Sequence, residues 1–125
     1  MNLRSYLNKE LTGKSDENLE LISIICSIAD STVDIAMDTR VTGLKQIRGS
    51  ANEINVQGEE VQMLDQIANQ SLIDSLSKNS SCAGYASEEL AEPLIFNRSA
   101  RFMVVADPLD GSSNISVNMP IGTIF

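Results

Sequence analysis

Two short runs hold the chemistry that this sequence advertises. One is DPLDGSSN, Asp107 to Asn114, and the other is SEE, Ser87 to Glu89. In the first, Asp107 and Asp110 flank a proline and a leucine. A turn there brings both carboxylates and the Leu109 carbonyl around one point. Close carboxylates repel, and each resists ionising unless a cation sits between them. An all-oxygen set suits a hard ion, magnesium or manganese. Pro108 favours a turn and Gly111 permits tight geometry after it. Gly111, Ser112 and Ser113 can then offer successive backbone N–H groups and hydroxyls to a phosphate. Glu88 and Glu89 alone would read as a solvated loop. Their place after one strand and before another that ends in Asp107 raises them to candidate ligands.

The chain has no histidine. That excludes Ser-His-Asp and Cys-His catalysis and any histidine-ligated zinc. The remaining tools are carboxylates, hydroxyls and backbone amides. Cys26 and Cys82 form no CxxC pair, so they read as two buried, reduced thiols of a cytoplasmic protein. No apolar run reaches membrane length and the N-terminus lacks a secretory h-region. The net charge of −8 comes without a basic patch, which argues against nucleic acid. An acidic protein handling a phosphorylated substrate needs cations to bridge the repulsion.

The elements that must position these residues follow from periodicity. Ser15 to Asp38 reads as one long amphipathic helix, with Leu21, Ile25 and Ile28 at helical spacing and Glu17 and Glu20 near its positive end. Gly43 is expected to end that region, and Leu44 to Gln57 to form an exposed loop. A second helix is expected from about Glu59 to Leu76, with Val61, Leu64, Ala68 and Leu72 as its apolar stripe. Glu59 and Glu60 there complement the helix dipole, and Asp65 reads as part of the helix's solvated side. Cys82 to Ala86 is a short strand leading into SEE, and Pro93 to Ser99 a turn region. FMVVA, Phe102 to Ala106, reads as a buried central strand that delivers Asp107 to its carboxyl end, where α/β folds place ligands. Ile115 to Phe125 is expected to begin a further strand. At 125 residues the chain suits one domain. Its last residues, GTIF, stop within an apolar stretch without a turn signal, and the expectation is the N-terminal part of a longer protein.

Taken together, DPLDGSSN followed by IGTIF, with SEE and NVQGEEVQMLD upstream, resembles class I fructose-1,6-bisphosphatase from about Glu17 to Phe125. The resemblance implies an α/β fold, a layered αβαβα sugar-phosphatase sandwich of which residues 1–125 supply the N-terminal helices and first strands. It implies Glu88, Glu89, Asp107, the Leu109 carbonyl and Asp110 as ligands of Mg2+, with Mn2+ as a substitute. It implies Asp65 and Glu89 as the carboxylates that activate the attacking water, and Glu59 as an acidic residue of a closing loop. Asp110, Gly111, Ser112 and Ser113 would contact the substrate's 1-phosphate. The reaction implied is hydrolysis of that phosphate to fructose 6-phosphate in gluconeogenesis, by a cytoplasmic homotetramer without nucleic-acid or membrane partners. Two alternatives stay open: a sedoheptulose-1,7-bisphosphatase or dual-specificity enzyme, and a non-catalytic chain that only binds metal or pairs with other subunits. Two departures stand out. Ser116 replaces the family's usual aspartate after Asn-Ile, and Ser15-Asp16-Glu17 with Leu19 replaces the AMP-binding turn, although Arg101 keeps its basic character. Weak inhibition by AMP is therefore expected.

Overall fold

The computed structural model describes residues 1–11, 15–46, 54–117 and 119–125; the side chains of 41–46, 54–62 and 116 are outside that description. Among the described residues three helices come first, α1 (Leu3–Glu10), α2 (Asp16–Gln46) and α3 (Ile54–Leu76). Four strands follow, β1 (Cys82–Ser87), β2 (Leu94–Ile95), β3 (Phe102–Asp110) and β4 (Gly122–Ile124), with a 3-10 helix, Ser112–Val117, between the last two. The sheet order is β2-β1-β3-β4; β1 and β3 are parallel and the outer pairs antiparallel.

Burial explains why α2 and α3 hold together. Ile24, Ile28 and Ile35 on α2 meet Leu64, Ala68, Leu72 and Leu76 on α3, and that layer closes over Tyr85, Val104 and Ala106 of the sheet. Each fully buried aliphatic side chain contributes about 1.5–3 kcal/mol relative to exposure. Polar groups lock the helix pair at its open end. The Asn79 amide donates to Ser27 Oγ at 2.9 Å and Ser23 Oγ at 3.1 Å, and its oxygen accepts from the Ser81 N–H at 3.0 Å. One loop side chain thus joins α2 to the start of β1. At Gly84 on β1 an added Cβ would collide with the Leu94 carbonyl, so glycine is what lets β2 pair.

Several expectations are corrected. Residues 3–10 form a helix that periodicity did not reveal. Its N-cap is Asn2, whose side chain accepts from the Ser5 N–H at 2.9 Å. Helix α2 runs through Gly43 to Gln46, and α3 begins at Ile54, not Glu59. The part of the expected loop at 47–53 lies outside the described residues. FMVVA is an inner strand but is buried on one face only: Val104 and Ala106 point inward while Met103 and Val105 are exposed. DPLD continues β3 instead of forming a turn, and the irregularity appears as a register shift against β4 between Asp107 and Asp110. Residues 115–117 belong to the 3-10 helix, so the last strand is confined to Gly122–Ile124.

Candidate active site

Strand geometry brings the two acidic runs together. In the parallel pair, Ser87 lies opposite Ala106, so the SEE turn starts beside Asp107, where β3 runs on past the carboxyl end of β1. The turn after β1 is held by its own atoms: the Glu89 N–H donates to Ser87 Oγ at 3.1 Å and the Leu90 N–H to the Ser87 carbonyl at 3.1 Å. Asp107 is fixed similarly, its Oδ1 accepting the Leu109 N–H at 3.1 Å. This contact closes a local loop across Pro108, which has no N–H to compete. Pro108 and Leu109 are buried beneath it.

Helix α3 supplies the third side. Asp65 is half-buried, and Ser112 Oγ donates to its Oδ2 at 3.3 Å. Ser112 follows Gly111, whose φ of 75° is a left-handed conformation that other residues adopt at a cost. A Cβ there would also press on the Asn114 amide at 3.0 Å. Gly111 therefore permits the turn that carries Ser112 from the end of β3 back to α3. The Asn114 N–H donates to the Gly111 carbonyl at 2.8 Å and closes the turn.

The charges press on one another. The charge of Asp107 pushes the exposed Glu88 carboxyl above its ordinary value. Burial raises Glu89, with Asp65 and Asp107 adding to the effect. Burial also raises Asp65; the Ser112 hydroxyl offsets part of this and Asp107 adds to it. Four carboxylates, one on α3, two on the turn after β1 and one on β3, thus share one field.

The expected residues divide as follows. Asp65, Glu88, Glu89 and Asp107 interact with one another. Ser112 touches Asp65, and Gly111 makes the turn. Asp110 is exposed at the end of β3. The side chains of Glu59 and Ser116 lie outside the described residues. Reading Asp65 as part of a solvated helix face is corrected: it is half-buried and hydrogen-bonded. The signal for it was a second polar residue, Asn69, one turn later beside the Leu64–Ala68–Leu72 stripe. Asn69 is buried and accepts a hydrogen bond from the Tyr85 hydroxyl at 3.0 Å; the sequence reading named neither residue.

The donors are all oxygen, and their mutual repulsion would be relieved by a cation, so the set fits a hard divalent ion. Among the described residues no three of these groups already converge into a finished cage. Glu88 and Glu89 are exposed on a turn, free to choose the rotamers that closure around an ion needs.

A sequence model described as the N-terminal domain of fructose-1-6-bisphosphatase matches residues 4–125. This chain belongs to the fructose-1,6-bisphosphatase family. Among its relatives is a class 1 fructose-1,6-bisphosphatase of Psychrobacter cryohalolentis, 43% identical over 123 residues, which are 98% of this chain and 36% of that protein. Another, from Sulfurihydrogenibium sp., is 41% identical over 127 residues, covering all of this chain and 39% of the relative. The chain thus spans little more than a third of the length of these fructose-1,6-bisphosphatases. Among solved structures, the holo form of the Leishmania major enzyme superposes with a TM-score of 0.75 at 25% identity, over 99% of this chain and 36% of that one. The α/β arrangement of helices followed by a mixed sheet is shared with that family. Cys26 and Cys82 are both buried free thiols, and no helix among the described residues is long and apolar enough to cross a membrane.

Proposed function

We propose that the protein this chain belongs to hydrolyses the 1-phosphate of fructose 1,6-bisphosphate, and that this chain contributes the metal- and phosphate-binding half of the site. The observation that carries the reading is the meeting of Asp107, Glu88, Glu89 and Asp65 from three elements, beside a Gly111–Ser112 turn tied to Asp65.

In this reading Glu88, Glu89, Asp107, the Leu109 carbonyl and Asp110 hold Mg2+ or Mn2+. Bound there, such an ion supplies charge neutralisation at the phosphoryl oxygens and a lowered pKa for water. The chain's own work is positioning, the main demand of phosphoryl transfer. Asp65 and Glu89 orient the attacking water and accept its proton. Glu59, within α3, adds an acidic residue. The amides and hydroxyls of Gly111, Ser112 and Ser113, with Asp110, receive the phosphate. Ser112 would then exchange its contact with Asp65 for one with the phosphate. The enzyme is proposed to act in sugar-phosphate metabolism, in the cytoplasm, as a homo-oligomer.

The test is phosphate release by the full-length protein from fructose 1,6-bisphosphate, with Mg2+ and after chelation. Release that needs the metal and exceeds release from sedoheptulose 1,7-bisphosphate is expected. Preference for the seven-carbon sugar would change the substrate, and metal-independent release would overturn the mechanism.

A further inference from the structure

Asp65 and the Glu88–Glu89 turn belong to different elements, and the site works only if helix α3 and strand β1 keep a fixed register. One buried side chain spans the two. Tyr85, on β1, is 0% exposed, and its hydroxyl donates to Asn69 Oδ1 at 3.0 Å. Asn69 follows Asp65 by four residues, so the two lie on the same face of α3, one turn apart. Two residues on and on the same face of β1, the Ser87 hydroxyl offsets part of the rise that burial causes in the Tyr85 pKa. Ser87 Oγ in turn accepts the Glu89 N–H at 3.1 Å. Polar groups therefore follow one another from Asn69 on the helix, through Tyr85 and Ser87 on one face of β1, to the backbone of Glu89. A leucine or phenylalanine at position 85 would fill the core without the cost of burying a hydroxyl. A fully satisfied buried network repays that cost by fixing one arrangement of the elements it joins.

Resting on the proposed reading of the site, we infer that Tyr85 is a positioning residue: through Asn69 and Ser87 it holds the Glu88–Glu89 turn where its carboxylates can take a divalent cation, and keeps Asp65 beside them. A tyrosine that only packs the core would make a different prediction. Its loss would lower Tm and leave metal affinity as it was.

The test uses the full-length protein, with Mn2+ binding followed by the electron paramagnetic resonance of the free ion, beside Tm, the Mg2+ half-saturation of phosphate release, and the KM for the sugar bisphosphate. Tyr85→Phe keeps the ring and removes only the hydroxyl. The expected result is Mn2+ binding weakened by about tenfold, the scale of losses when groups behind a metal ligand are removed. The Mg2+ half-saturation should rise in parallel, with KM little changed. Ser87→Ala, which cuts the same chain of contacts outside the core, should weaken Mn2+ binding similarly, and the double variant should lose little more than either single one. Wild-type Mn2+ affinity in folded Tyr85→Phe overturns the inference; if that variant does not fold, wild-type affinity in Ser87→Ala does so. Failure of the unmutated protein to bind Mn2+ overturns the proposed site and this inference together. Mn2+ binding without hydrolysis of fructose 1,6-bisphosphate overturns only the substrate, and the Mn2+ affinities of the variants still decide the role of Tyr85.

Discussion

Glu89 and Asp107 do different work although both are carboxylates at the ends of neighbouring strands. Asp107 is the first cause of the raised Glu88 pKa and adds to those of Asp65 and Glu89, so it is the common source of repulsion. Acids whose pKa is raised by folding bind more protons in the folded state than in the unfolded one. Their contribution favours folding at acid pH and is lost as pH rises through the raised values, from about pH 4 upward. Removing the Asp107 charge should flatten that decline. In thermal melts without metal, Asp107→Asn should raise Tm at neutral pH by more than at acid pH, while Mg2+ should stabilise the wild type and not the variant. An equal Tm change at both pH values would show that Asp107 is not the source of the strain. Glu89→Gln makes a separate prediction for catalysis. It keeps the turn, which rests on the Ser87 hydroxyl and the backbone, yet removes the charge. In the full-length protein it should lose most metal-dependent phosphate release, and near-normal turnover would remove Glu89 from the mechanism.

Helices and strands were legible where burial imposes a period. The Leu64–Ala68–Leu72 stripe of α3 is 2%, 1% and 0% exposed, whereas the one-sided burial of β3 was hidden because FMVVA is apolar on both faces. Helix α1 buries no residue, so it left no stripe to read; it depends on its Asn2 cap and on contact with α2. The strand character of DPLD was hidden because Pro108 signals a turn, whereas its missing N–H is tolerated where the β4 ladder is already irregular. Asp107 and Glu88 could be paired from their motifs; Asp65 was reached only through the family resemblance and Asn69 not at all, because only the packing of α3 on the sheet turns a polar helix side into part of the site. The polar joint at Asn79 was equally invisible, being spread over three segments. Its worth can be measured: Asn79→Ala removes two bonds to α2 and one to Ser81, leaving half-buried hydroxyls with lost partners. Denaturant unfolding should show a loss of about 1–3 kcal/mol. A loss within error would mean that water replaces the amide and that this joint adds nothing to the packing of α2 on α3.

At the scale of the whole molecule, the sheet has one covered and one open face. Helix α3 packs on the side of Tyr85, Val104 and Ala106. On the other side Met103 is paired with Gly84 and Gly84 with Ile95, so Met103 and Ile95 share a face with Val105. These three are 47%, 53% and 67% exposed. An antiparallel sheet with one wet face usually carries polar residues there, and a sheet with parallel strands is usually covered on both sides. The relatives have nearly three times this length to cover such a face with, since the chain spans 36% and 39% of two of them. Val105→Lys separates the two situations. In this chain alone the lysine should leave Tm almost unchanged and reduce the binding of an apolar dye, because the valine is already in water. In a full-length protein that covers the face, the same change buries an unpaired charge and should lower Tm sharply, by several kcal/mol in stability. Equal, small shifts in both would mean that the apolar row at Ile95, Met103 and Val105 stays open to solvent in the complete protein as well.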